Sequence, residues 1–95
     1  MSKDLKLAVG EALRTFREAR GHSQEGLGVS QSYVSTLENG GKWNVTIARV
    51  DQIGDALGVH PLSILSAAYC LSSPTISRKD LLKRIEKELS EIGIL

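Results

Sequence analysis

Cysteine is almost absent from this sequence, which has Cys70 and no other. A single thiol excludes an internal disulfide, and the scarcity of cysteine fits a reducing compartment. Long apolar runs are missing too, because no segment approaches the roughly 20 apolar residues that cross a bilayer. Residues 1–10 contain no apolar stretch of signal-peptide length. We therefore expect a cytoplasmic protein without membrane contact.

The groupings of side chains that support catalysis are also missing. His22 and His60 are isolated, Cys70 has no histidine near it in sequence, and the chain contains no glycine-rich phosphate loop. No pair of residues has the spacing of metal ligands. The sequence predicts a protein that is not an enzyme, with no cofactor, no metal and no evident small-molecule ligand.

A large excess of one charge is absent, since the net charge is only +1. The distribution is less even than the sum, because residues 1–50 carry seven Lys or Arg against five Asp or Glu. Residues 51–73 carry only two charged side chains, both aspartates. The first half is therefore the part of the chain that is better suited to an anionic partner.

What the chain does have is helical periodicity, in a length suited to one domain. Apolar residues recur every three or four positions between Lys3 and Arg20, which predicts a first helix ended by Gly21. Ser23 can cap a very short second helix that brings Leu27 to the core before Gly28. The third helix is predicted between Ser30, as N-cap, and Gly40.

Two more helices follow before residue 71. Thr46 is expected to cap the fourth, with an apolar stripe of Ile47, Val50, Ile53 and Leu57. Pro61 is expected in the first turn of the fifth, whose packing residues are predicted to be Leu62, Ile64, Leu65, Ala68 and Tyr69. The pattern predicts five short helices in residues 1–71, which form one domain.

Residues 72–76 contain Ser-Ser-Pro and are interpreted as a linker. Residues 77–95 follow as an amphipathic C-terminal helix, in which Ser77 and Asp80 have capping-box spacing. Its apolar residues have the a/d spacing of about two heptads and are Leu82, Ile85, Leu89 and Ile92. Such a stripe can fold back on its own domain or pair with a second copy, and we favour pairing.

Three stretches in order resemble the Cro and phage-repressor type of helix-turn-helix domain, the XRE family. They are VGEALRTFREARGHSQ, VSQSYVSTLENG and NVTIARVDQIGDALGVHPLSIL, and the resemblance covers about Val9 to Leu65. It implies an all-α, five-helix, lambda-repressor-like fold, to which the C-terminal helix is an addition. One departure is that the family has about four more residues between Leu27 and Gly28, so the angle of the recognition helix is open.

The resemblance also implies which residues would touch double-stranded DNA. The third helix would be the recognition helix, with base contacts from Gln31, Ser32, Thr36, Tyr33 and Ser35. Phosphate contacts would come from Gln24, Ser30, Asn39, Lys42 and Asn44. Arg17 and Glu38 match a structural ion pair of the family. Taken without the resemblance, the polar face of this helix is either a reading surface or an ordinary solvated one.

The function that the resemblance implies is a transcriptional regulator, expected to be a repressor that binds a partly palindromic operator as a homodimer. The competing hypothesis is a helix-turn-helix scaffold that binds protein and has lost the DNA groove. The shortened second helix and the low net charge favour that alternative. The complete set of polar residues on the recognition helix favours DNA, because a protein-binding surface would more often present apolar anchors.

Overall fold

The computed structural model describes residues 4–40 and 44–94, and in these two ranges it contains α-helices and no strand. The predicted all-α class is confirmed. The five helices are α1 (Leu5–Ala19), α2 (Gln31–Glu38), α3 (Ile47–Leu57), α4 (Pro61–Ser72) and α5 (Arg78–Glu91). None of the helices in the described ranges is both long and apolar enough to span a bilayer.

Hydroxyl side chains set where three of the helices begin. Ser30, Thr46 and Ser77 precede α2, α3 and α5, and each accepts a hydrogen bond from the backbone N–H three residues later, at 3.1 to 3.2 Å. Each bond satisfies one of the N–H groups that a helix leaves unpaired at its start. The start of α4 is different, because His60 Nδ1 accepts the Leu62 N–H at 3.0 Å and Pro61 occupies the first turn. The sequence did not predict this histidine cap.

The core lies where α1, α2, α3 and α4 meet. One buried cluster joins α1 to α2 and α3, and a second joins α1 to α3 and α4. Gly10 allows α1 and α2 to approach closely, since a Cβ at this position would overlap the backbone carbonyl of Leu37. The fully buried side chains of largest volume are Leu13, Leu27, Ile53, Ile64 and Val34. Helix α2 is thus held against α1 by backbone proximity as well as by its apolar side chains.

The predicted second helix is not formed, and this expectation was wrong. Residues 24–29 are a succession of bends between α1 and α2. Gly26 and Gly28 have φ of 76° and 78°, in the left-handed region that is incompatible with a right-handed helix. Only two residues separate Ser23 from Gly26, which is too few for the i→i+4 hydrogen bond that closes an α-helical turn. Leu27 nevertheless reaches the core as predicted, with no exposed surface.

Three residues assigned to the packed faces of helices are instead at the surface. Ile47 at the start of α3 is 83% exposed, while Leu62 and Tyr69 on α4 are 58% and 49% exposed. Residue Val50 starts the buried stripe of α3, so the apolar pattern of the sequence extends one turn beyond the core. These side chains therefore leave apolar surface on the outside of the domain.

Helix α5 packs against α4 after a connection of five residues, 73–77. None of its residues is fully buried. Leu81 and Ile85 are half-buried, whereas Leu82, Leu89 and Ile92 are 49%, 45% and 72% exposed. The helix folds back on its own domain along one side only, and most of its predicted apolar stripe stays accessible.

Candidate nucleic-acid interface

Helix α2 separates its side chains into a buried apolar side and an accessible polar side. Tyr33, Val34 and Leu37 are buried in the core. The opposite side exposes Gln31 and Ser32, and it exposes Ser35 and Thr36 in part. These four side chains carry short hydrogen-bonding groups with no charge. An exposed helix face of this kind can be read as a surface of donors and acceptors.

An ion pair fixes the end of α2 against α1. Arg17 donates to the Glu38 carboxylate through Nε at 2.7 Å and through Nη2 at 3.0 Å, while Nη1 donates to the His22 carbonyl at 2.8 Å. The side chains are only 12% and 2% exposed. The hydrogen bond to Glu38 raises the pKa of Arg17 against the opposing effect of burial, so the guanidinium stays charged. The predicted structural pair is therefore present, with a bidentate geometry.

Gln24 continues this network to the exposed face of α2. Its Nε2 donates to Glu38 Oε1 at 3.0 Å, and its Oε1 accepts from Gln31 Nε2 at 2.6 Å. The chain of bonds thus runs from Arg17 through Glu38 and Gln24 to Gln31. Because an amide side chain has separate donor and acceptor ends, this bond defines how the Gln31 amide is oriented. The family resemblance assigned Gln24 to a phosphate contact, whereas in the structure Gln24 also holds Gln31, one of the residues predicted to contact bases.

Tyr33 does not belong to the exposed face, and its assignment to base contacts is corrected by the structure. Its side chain is only 6% exposed and part of the core. The hydroxyl donates to the Asn44 carbonyl at 3.1 Å, which ties the segment before α3 to α2. A tyrosine in sequence looks equally suited to a polar surface and to a core with one hydrogen-bond partner. The position of Tyr33 three residues after Ser30 does not decide between surface and core, so the tertiary structure decides.

Arg49 is a further candidate, and it was not predicted from the sequence. It is exposed on the first turn of α3, and its guanidinium carbon lies 5.6 Å from the centroid of the Tyr33 ring. The distance is that of a cation–π contact. The guanidinium also donates to Gln52 Oε1 at 3.1 Å. The Arg49 guanidinium is thereby held next to Tyr33 of α2. No pattern in the linear sequence indicates this contact.

The remaining predicted contact residues lie around the ends of α2. Ser30 and Asn39 flank the helix and Asn44 precedes α3, and all three are exposed. Ser30 Oγ is already the acceptor of the helix cap, and Asn39 Nδ2 donates to Ser35 Oγ at 3.3 Å. Lys42 lies outside the described residues. Within the two described ranges, no group of three His, Cys, Asp or Glu residues is arranged to hold a metal ion.

Comparison with known proteins identifies the family of this arrangement. Residues 8–63, more than half of the chain, match the helix-turn-helix domain family. The chain belongs to the helix-turn-helix family. The crystal structure of the clp gene regulator ClgR from C. glutamicum is similar to it, with 31% sequence identity and a TM-score of 0.67. The match covers 77% of this chain and 97% of that one.

No curated protein matches the chain. The helix-turn-helix domain and the likeness to a gene regulator together support a DNA-binding transcriptional regulator. In a helix-turn-helix domain the second helix of the motif lies in the major groove and its N-terminal residues contact the bases. The family resemblance assigns α2 to that position, and the residues at the N-terminus of α2 are Gln31 and Ser32.

Proposed function

We propose that this protein represses transcription by binding a partly palindromic operator as a homodimer, with the exposed face of α2 in the major groove. The observation that carries the proposal is the way Gln24 holds Gln31 on that face, at 2.6 Å. An amide fixed before binding loses less conformational freedom on contact with DNA. The repressor role itself is the one implied by the resemblance to phage repressors.

The hydrogen-bonding groups that remain on Gln31 suit adenine. One N–H of Nε2 is donated to Gln24, which leaves the second N–H and the Oε1 acceptor. In the major groove adenine presents an N7 acceptor beside an N6 donor, and a glutamine amide can pair with both. We therefore assign Gln31 to base recognition, with Ser32, Thr36 and Ser35 as further candidates on the same face.

Phosphate contacts would surround this face. Ser30, Asn39 and Asn44 are exposed at its edges, and Gln24 keeps a second N–H beyond the one donated to Glu38. The family resemblance adds Lys42 to this set. We add Arg49, because a cation placed beside α2 can neutralise a phosphate of the bound duplex. Such contacts position the protein on DNA and do not distinguish sequences.

The test begins with selection of bound duplexes from a random pool near physiological salt. An inverted repeat with half-sites about one helical turn, roughly 34 Å, apart is expected from a two-fold symmetric dimer. Gln31→Ala should then cost about 1 to 3 kcal/mol on the selected site and little on random DNA. An equal loss on both kinds of DNA would refute base reading by Gln31.

A folded protein that enriches no sequence would favour the second candidate, a protein-binding module. The specific observation behind that candidate is the missing second helix, since residues 24–29 form bends where the family has a helix. Against it, every side chain of α2 outside the core is polar or charged. The selection experiment separates these two functions because only a DNA-binding protein yields an enriched operator.

A further inference from the structure

An apolar groove runs between α4 and α5, and none of the residues that line it belongs to the network that holds Gln31. Its volume is about 560 Å³, and it is open to solvent. Its apolar wall includes the exposed Leu62 of α4 and Leu82 of α5. The lining also includes the apolar Phe16, Ala67 and Leu81, the thiol of Cys70, and the polar His60, Ser63 and Ser66. An open apolar groove of this size on a small domain is typical of an interaction surface.

The same chain leaves an apolar helix stripe uncovered. On α5, Leu89 is 45% and Ile92 is 72% exposed, and the adjoining Ile94 is 58% exposed. These residues lie C-terminal to the part of α5 that lines the groove. The molecule therefore has both an unfilled apolar groove and an apolar helix end without cover. Two copies related by a two-fold axis could satisfy both surfaces reciprocally.

Pairing of the two α5 helices alone would bury too little surface. Helix α5 has 14 residues. At about 1.5 Å per residue and about 10 Å in width, it offers a contact strip of roughly 200 Å². A stable interface buries about 800 Å² on each partner. The groove on α4 has to take part if the dimer is to be stable.

Charge favours an antiparallel arrangement of the two helices. The first half of α5, 78–84, has four basic side chains and one acidic one. The second half, 85–91, has three acidic side chains and one basic one. When two such helices lie side by side in opposite directions, the basic half of each adjoins the acidic half of the other. A parallel pair would place like charges together.

We infer that α5 of a second copy occupies the α4–α5 groove, antiparallel to the resident α5, and that the exchange is reciprocal. The inference rests on the homodimer of the proposed function and specifies its interface. The incoming helix brings Leu89 and Ile92 into contact with Leu62 and Leu82. Its acidic half lies beside Arg78, which lines the groove at the start of the resident α5.

Sedimentation equilibrium of the full chain provides the first test, with a matched pair of variants. Leu62→Glu places a charge in the groove, and Ile47→Glu makes the same kind of change at an exposed residue of α3. The first should raise the dimer Kd by about ten-fold or more, and the second should leave it within about two-fold. Circular dichroism checks that both variants keep their helices. A folded Leu62→Glu variant that dimerises like the parent would overturn the inference.

Cross-linking tests the orientation. An Ile92→Cys variant adds a second thiol to a chain that otherwise has Cys70 in the groove. A short bismaleimide should then give a covalent dimer that joins the two different positions, as read from cross-linked peptides. Adding Cys70→Ser should abolish that product. If the cross-link persists in the double variant, position 92 meets its own copy, and direct pairing of α5 helices outside the groove replaces the proposed arrangement.

These results are separable from the test of DNA reading. Leu62→Glu should retain binding to a single half-site, because the groove residues are distinct from the network around Gln31. A parent protein that stays monomeric at all concentrations would refute the groove interface and leave the Gln31 test untouched. If Gln31→Ala loses half-site binding while its dimer Kd is unchanged, the result supports base recognition by Gln31 and agrees with an interface that lies elsewhere.

Discussion

Replacing Arg17 with alanine removes the central donor of the network that holds α2. Three hydrogen bonds disappear, two to the Glu38 carboxylate and one to the His22 carbonyl. The Glu38 carboxylate, only 2% exposed, then loses its counterion and retains the hydrogen bond from Gln24. The cost arises from leaving a buried charge without a counterion, which exceeds the net value of the pair itself.

The expected loss is about 3 to 5 kcal/mol in the free energy of unfolding. A domain of this size has a total stability of about 5 to 15 kcal/mol. In a domain of up to about 100 residues, each kcal/mol lost from the free energy of unfolding lowers the Tm by about 4 to 8 °C. We therefore expect the Tm of Arg17→Ala to fall by at least about 12 °C. Arg14→Ala is the matched control, because Arg14 pairs with Glu18 at 56% and 58% exposure. That surface pair should contribute about 0 to 1 kcal/mol.

Urea denaturation followed by circular dichroism measures both variants, and a third separates charge from packing. Adding Glu38→Gln to Arg17→Ala removes the uncompensated carboxylate and should recover part of the lost stability. Equal losses for Arg17→Ala and Arg14→Ala would show that the pair is no more valuable than a surface contact. No recovery in the double variant would show that the loss comes from packing and not from the buried charge.

Two further perturbations address the position of α2 and its approach to DNA. Gly10→Ala should destabilise the domain by about 1 to 3 kcal/mol, because the new Cβ overlaps the Leu37 carbonyl. Helix propensity alone would instead stabilise it by about 1 kcal/mol. The sign of the change in a denaturation experiment therefore shows whether the overlap dominates. Arg49→Ala should reduce the slope of log K against log salt by about 0.9 for each protomer if Arg49 neutralises a phosphate. Lys87→Ala on α5 is its control in the same titration, and equal slopes for Arg49→Ala and the parent protein would remove Arg49 from the DNA interface.

The helix starts could be predicted from sequence because their determinants are local. Ser30, Thr46 and Ser77 form hydrogen bonds within three residues, so the sequence itself contains both partners. The pair of Arg17 and Glu38 is separated by 21 positions and came only from the family resemblance. No local rule would have joined those two residues. The position of Gln24 between Glu38 and Gln31 likewise depends on the tertiary fold.

Other features were not predictable because periodicity records only that a residue is apolar or polar. Tyr33 has a polar end that could face solvent, but its ring fills the core and its hydroxyl finds the Asn44 carbonyl. Ile47 continues the apolar stripe of α3, but the buried part of that stripe begins one turn later, at Val50. Whether a side chain at such a boundary is covered depends on neighbouring segments. The exposure of Leu62 has the same origin, since α5 leaves α4 partly uncovered.

The segment that replaces the missing second helix retains two contacts that matter for the site. Leu27 is completely buried in the cluster shared with α2, and Gln24 hydrogen-bonds to both Glu38 and Gln31. The contacts that this segment makes with α2 are therefore one buried side chain and one amide bridge, without a regular helix. Because the same carboxylate accepts from Arg17 and from Gln24, the orientation of Gln31 depends on the ion pair that stabilises the fold. Stability and the proposed base recognition are consequently coupled through Glu38.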